Sequence, residues 1–413
     1  MITETITFKL IFHLIFPWVP LLIYFIALNI RAVKKILFEK PAVILAALYF
    51  GSRILFFIVL YVFFEFKGLG DLNVNYFEPA QLAWRGFVPY RDFSCSYSPL
   101  FLYLLAPLTP LGIKGILLLF VVFDFITLLF LNQTASLLFG QETRCGALYL
   151  YVVSPMSWFF LIYMGQDEIL LSFILILLFY LHLTGRDRFI PIVAAGGFVL
   201  TKFLAVLVIL PFFLASQRKF KFVLEGGIIV GAILAFFKFY LKADILEPLL
   251  LESKLSGGNG LWDMLERIQP FSWNIISHLL LAVVLLALII WATKHIKYFS
   301  AYKLLMYSLL LWFVFMGLSY KAWSLYSTIY LTLLTIFIVR ENKIKSFVLY
   351  AILKSFGDYV AYEIWNLPEL HGAEATMKMI AFVIWGGSLF ISLKWSLEIW
   401  ELLKPAVPVR SCS

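Results

Sequence analysis

Membrane-length apolar runs recur along the whole chain, near residues 10–30, 41–64, 98–138, 146–164, 168–184, 189–215, 222–241, 273–293, 303–318, 325–339, 346–364 and 376–396, with short polar segments between them. A helix needs about 20 mostly apolar residues to cross the hydrocarbon of a bilayer, so the runs predict a bundle of spanning helices. Two runs are more than one simple crossing. The 98–138 run is interrupted by Pro107, Pro110 and Gly112, which predicts one net crossing preceded by a surface or re-entrant piece. The 189–215 run has Arg186 and Arg188 before it and Arg218, Lys219 and Lys221 after it, so it should go out and return as two short helices meeting near Thr201 and Lys202. Threading alternate sides gives about 13 crossings. The predicted fold class is an all-α, polytopic transmembrane bundle with amphipathic surface helices in the first outer loop.

The loops at 31–40, 139–145, 185–188, 216–221, 293–303, 340–346 and 394–413 fall on one side of that threading and hold about twice as many Lys and Arg residues as the other side. Positive loops face the cytoplasm, which puts the N-terminus and the 65–97 loop outside. The first run lacks a small-x-small cleavage site and leads straight into the basic Arg31 to Lys35 cluster, so it reads as a retained helix rather than a signal peptide. Residues 242–255 read as an interfacial amphipathic helix, followed by a hinge at Gly257, Gly258, Asn259 and Gly260.

Composition narrows the function classes. With 63% hydrophobic and 14% charged residues the chain cannot be a water-soluble globule. The net charge of +9 is spread as small clusters between apolar runs, which argues for topology rather than a nucleic-acid partner. Cys95, Cys145 and Cys412 lie far apart without CxxC spacing, and the five histidines form no ligand pattern. A P-loop, GxSxG, HExxH or GxGxxG signature is missing. Internal repeats are also missing, which weakens a transporter built on inverted repeats.

The polar residues that topology does not explain collect on the outer face: Asp71, Tyr76, Arg85, Tyr90, Arg91, Asp92, Gln166, Asp167, Glu168, Lys202 and Lys321. Acids and bases converging there suit a reaction in which an acid removes a proton while cations hold a phosphate leaving group. Asp71 is the candidate base; taken alone it is a solvated loop carboxylate, but Tyr76, Ala80 and Trp84 followed by Gly86 and Pro89 predict a short surface helix that would fix its position. Arg91 and Asp92 either contact substrate or pair with each other as a surface ion pair. Asp167 and Glu168 open a helix, where the dipole alone favours acids. Lys202 either binds phosphate or snorkels to the surface. Lys321, with Trp323 and Tyr326, sits at another outer junction, where aromatics are expected of the interfacial belt. Arg53 and Asp124 lie deep in spans, where an isolated charge costs about 2.5–3.5 kcal/mol, so each needs an internal partner.

Taken in order, Asp71, Leu72 and Tyr76, then Gly86, Pro89 and Tyr90, then Tyr97, Ser98, Pro99 and Leu100 with Leu104 to Pro107, resemble the first outer loop of GT-C glycosyltransferases that use polyprenyl-phosphate sugars. Pro155 ahead of Gly165 to Glu168, Lys202 ahead of Pro211, and Lys321, Ser324 and Tyr326 keep the order of that pattern. The arrangement is similar to the polyprenol-phosphate-mannose-dependent mannosyltransferases and to the first mannosyltransferase of GPI-anchor synthesis. The resemblance covers most of 41–340. It implies a GT-C-like catalytic module over 41–215, preceded by an extra helix and cytoplasmic loop over 1–40 and followed by a variable module over 216–413. It also implies an inverting hexosyltransferase working at the outer or lumenal face of the cell membrane or endoplasmic reticulum, with Asp71 as base. Asp167, Glu168 and Asp92 would form the second acidic site, Lys202, Lys321 and Arg91 would hold the donor phosphate, and Tyr76, Tyr90, Gln166 and Tyr326 would contact sugar or acceptor. The expected partners are the lipid bilayer, a polyprenyl-phosphate sugar and a glycan or glycolipid acceptor. Some members carry Asp-x-Asp at the first site, whereas this chain has Asn73, so neither a metal nor another cofactor is expected. The competing readings are a flippase or transporter of a lipid-linked sugar and a non-catalytic scaffold of the same fold.

Overall fold

The computed structural model describes residues 16–68, 71–254, 261–268, 273–359 and 374–404. Among these the regular structure is helical, with one isolated bridge between Pro89 and Phe93. Hydrocarbon offers backbone N–H and C=O groups no water, and a helix satisfies them within one segment. The chain begins with α1 (Val19–Asn29), α2 (Arg31–Glu39) and α3 (Pro41–Phe63). The wide π-helical turn Asp71–Phe77 then runs into α4 (Glu78–Trp84), followed by α5 (Phe101–Leu111), α6 (Ile113–Leu138), α7 (Gln141–Val153), α8 (Pro155–Ile162) and α9 (Glu168–Leu183). Next come α10 (Ile190–Leu200), α11 (Ala205–Ala215), α12 (Lys219–Tyr240), α13 (Glu247–Lys254) and α14 (Leu261–Ile268). The chain closes with α15 (Asn274–Tyr298), α16 (Ala301–Leu318), α17 (Ser324–Arg340), α18 (Ile344–Tyr359) and α19 (Glu374–Leu403).

Among the described residues, six helices are long and apolar enough to cross a bilayer: α3, α6, the α7–α8 pair, α12, α15 and α16. The chain is an all-α membrane protein. Shorter apolar helices, α1, α5, α9, α11 and α17, accompany them. The interrupted 98–138 run resolves into α5 and α6, with Gly112 at φ +68° between them. The out-and-back run resolves into α10 and α11, separated by the turn at 201–204. The predicted hinge at 257–260, and the outer parts of the first and eleventh runs, lie outside the described residues.

Burial divides the bundle into an inner and an outer layer. The α7–α8 pair is buried along its length, α17 packs against it, and α9 packs against α6 and α17. A Cβ at Gly146 would come within 2.8 Å of Val339, so glycine lets α7 and α17 approach closely. By contrast α12 and α15 leave Phe220, Ile228, Leu279 and Val283 exposed. Such an apolar exterior is stable only against lipid tails.

One buried network fixes the inner layer. Pro155 has no N–H to give the carbonyl of Tyr151, and the backbone turns extended at Ser154, so α7 and α8 meet at a break. The Ser157 hydroxyl lies 2.5 Å from the Tyr151 carbonyl, and Arg53 of α3 donates through Nη1 to the freed carbonyl of Val152. The same guanidinium reaches Ser157 Oγ at 2.7 Å and pairs through Nε with Asp124 of α6 at 3.0 Å, both residues being fully buried. Tyr151 donates to the other Asp124 oxygen at 2.6 Å. The two internal charges therefore answer each other and close a helix break together. Removing one partner strands a charge, so Asp124→Leu is expected to cost about 3–5 kcal/mol. Arg53→Met combined with Asp124→Leu should recover most of that loss, measured by thermal unfolding in detergent; a double variant as unstable as the single one contradicts the assignment.

Candidate functional site

Asp71 opens the π-helical turn, and Leu72 and Tyr76 on that turn are fully buried. The buried stripe continues through Ala80 and Ala83, while Trp84 stays 55% exposed. The surface helix is thus docked by Tyr76 and two small residues, and Trp84 faces outward instead of sharing their face. Gly86, at φ +90°, turns the chain after α4. The Tyr76 ring is held edge-on by Tyr97, Phe101 and Phe120 at centroid distances of 5.3 to 6.0 Å. That packing points its hydroxyl at Asp167 Oδ1, 2.8 Å away.

The acidic turn follows α8. Tyr61 donates to the Ile162 carbonyl at 2.8 Å, capping the end of that helix. Gly165 adopts φ +64°, and a Cβ there would meet the Leu72 side chain at 3.1 Å. Glycine is what allows the turn to lie on the Asp71 segment. Gln166, Asp167 and Glu168 are all buried. Gln166 Nε2 lies 3.4 Å from Asp71 Oδ2, and Asn75 Nδ2 donates to Asp71 Oδ1 at 2.6 Å.

Lys202 arrives from the turn after α10. Its Nζ is 2.7 Å from Asp167 Oδ1 and 2.8 Å from Glu168 Oε1, with the rings of Tyr97 and Tyr326 at 5.1 and 5.9 Å. Burial opposes the charge on Lys202, but Asp167 and Glu168 outweigh it and hold the ammonium well above the ordinary lysine value. Burial likewise pushes the phenols of Tyr76 and Tyr97 upward, which keeps both neutral. Position is set by backbone: Ser98 N donates to the Thr201 carbonyl and Leu100 N to the Val199 carbonyl, both at 3.1 Å, and Ser98 Oγ donates to the Phe198 carbonyl at 2.9 Å. The segment 98–100 thereby satisfies the last carbonyls of α10 and seats Lys202 beneath Tyr97.

The structure brings Asp71, Tyr76, Gln166, Asp167, Glu168, Lys202 and Tyr326 into one connected group. Arg91 and Asp92 form a separate one. They pair in two bonds of 2.8 Å, Asp92 also accepts the Val88 N–H at 2.7 Å, and Arg91 Nη1 donates to the Leu241 carbonyl at 3.2 Å. Arg91 and the Val88 N–H hold the Asp92 carboxyl down at about 2. With Asp244 N donating to the Tyr90 carbonyl at 3.0 Å and Ser94 Oγ to Glu247 at 2.6 Å, this pair fastens the 88–94 segment to the segment entering α13. Tyr90, at φ +65°, donates its hydroxyl to the Tyr97 carbonyl and so supports the site from behind. Lys321 is half-buried in the turn between α16 and α17, its backbone N–H on Ser319 Oγ at 3.2 Å.

Sequence reasoning left Asn75 and Tyr97 out of the site. Asn75 carried a signal, standing one helical turn beyond Asp71; Tyr97 stood only as part of the Ser-Pro motif. Among the described residues no group of three His, Cys, Asp or Glu is arranged to hold a metal ion. Chemically, the group offers a half-exposed carboxylate that accepts from Asn75 at 2.6 Å and weakly from Gln166 at 3.4 Å, together with a lysine that is 19% exposed. Removing the Tyr76 hydroxyl deprives the buried Asp167 of a donor, so Tyr76→Phe is expected to destabilise the protein by about 1–3 kcal/mol in denaturant unfolding. Unchanged stability would show that Asp167 does not depend on that bond.

No family model matches this chain, and no curated protein matches it.

Proposed function

We propose that the chain is a polyprenyl-phosphate-sugar-dependent glycosyltransferase of the GT-C kind, with about 13 crossings. It moves a hexose, mannose being the first candidate, to a lipid-linked or glycan acceptor at the outer or lumenal face. The observation that carries this reading is that Asp71 lies 3.4 Å from Gln166, the residue next to Asp167 and Glu168, which both pair with Lys202, so that three separate stretches of chain meet. Asp71 takes the proton of the acceptor hydroxyl, whose oxygen attacks the anomeric carbon from the face opposite the phosphate. The bond from anomeric carbon to phosphate oxygen breaks, its electron pair leaves with the polyprenyl phosphate, and the anomeric configuration inverts. Lys202 stabilises the charge that develops on the departing oxygen, and Lys321 supplies a second cation. A donor already activated on phosphate asks only for a base and positive charge. The apolar exteriors of α12 and α15 suit an isoprenoid tail.

A transporter would need ionisable groups along its path through the bilayer, yet the buried Arg53 and Asp124 are consumed by each other and by backbone. Incubating the protein in lipid with radiolabelled polyprenyl-phosphate sugars and candidate acceptors tests the proposal. Asp71→Asn should lower transfer at least about a hundredfold, the scale of a lost general base. Lys202→Ala should weaken donor dependence, and chelator should leave the rate unchanged. Transfer by Asp71→Asn within a few fold of wild type removes Asp71 from the role of base.

A further inference from the structure

Lys202 faces more negative charge than it can neutralise. Asp167 and Glu168 both pair with its single ammonium, and the negative faces of the Tyr97 and Tyr326 rings add to them. The two carboxylates are not equivalent. Asp167 keeps the Tyr76 hydroxyl as a donor even if the lysine turns elsewhere. Glu168 is 1% exposed, reaches Lys202 through Oε1, and leaves Oε2 buried with no hydrogen-bond partner. Apart from its own backbone N–H at the start of α9, the lysine is what holds its charge.

An anionic phosphate arriving at Lys202 would be the third anion around one ammonium. Like charges so close cannot all stay ionised, and the one losing its partner is neutralised first. We propose that Glu168 is a proton-coupled gate on the phosphate site, taking a proton from solution as a lipid phosphate binds Lys202 and giving it back on release. This rests on the glycosyltransferase reading and adds to it a residue that sets how tightly donor and product are held. The other ionisable groups facing the cluster are Asp167, Lys202, Tyr76, Tyr97, Tyr326 and, through Gln166, Asp71. Tyr76 and Tyr97 stay protonated, Asp167 retains Tyr76, and Asp71 retains Asn75. Glu168 is left as the group that changes state.

Calorimetric binding of undecaprenyl phosphate to the full chain in phosphatidylcholine nanodiscs, repeated in buffers of different ionisation enthalpy, reads affinity and proton count together. Wild type should take up about one proton per phosphate bound. Glu168→Gln, which keeps the shape and removes the charge, should bind at least about tenfold tighter with no uptake. Lys202→Met should abolish binding in either background. Binding by wild type without proton uptake, Glu168→Gln binding no tighter, or binding that survives Lys202→Met each overturns the gate and leaves the donor reading standing. No binding by wild type or Glu168→Gln, both eluting as folded protein, overturns the donor reading and the gate together.

Discussion

Pro155 withholds one N–H from the most deeply buried helix in the molecule, and lipid offers nothing to replace it. The repair comes from three side chains, two of them on other helices: Ser157 for the carbonyl of Tyr151, Arg53 for that of Val152, and Asp124 to neutralise Arg53. Such a repair fixes α3, α6 and the α7–α8 break in one arrangement, because each polar group has a single place to go. The direction in which α8 leaves the break decides where Gly165 to Glu168 emerge. A buried charge pair is weak evidence for stability on its own, yet here it determines geometry well away from itself.

Around Asp71 and Lys202 the same economy of polar groups operates with a different result. Asp71 and Lys202 retain some exposure, whereas Asp167 and Glu168 are sealed beneath them. The exposed pair can meet a substrate and the sealed pair can only adjust the charge behind it. Tyr76 and Tyr97 hold this division in place, one by its hydroxyl and the other by its ring face.

Much of the fold was legible from apolar run lengths, because bilayer thickness leaves few alternatives. The break before α6 showed in Pro107, Pro110 and Gly112, and the α10–α11 turn showed in the basic residues on both flanks. What stayed hidden was pairing. Arg53 and Asp124 each demanded a partner by the cost of burial, but 71 residues separate them and no periodicity links their spans. Arg91 and Asp92 read equally well as a substrate contact or as a surface pair, and the contact of Arg91 with the Leu241 carbonyl had no trace in the sequence. The face of α4 that docks also stayed hidden, because its stripe runs from Tyr76 through Ala80 to Ala83 and small residues leave little trace in a hydrophobic pattern.

The join between residues 98–100 and 198–201 is made largely of main chain, with the Ser98 hydroxyl as its one side-chain member. A seam of that kind transmits position without prescribing composition. Side chains on either edge are free to drift over evolutionary time, provided neither 98 nor 100 becomes an imino acid. The surface loop can therefore change its side chains while the lysine below it keeps its seat.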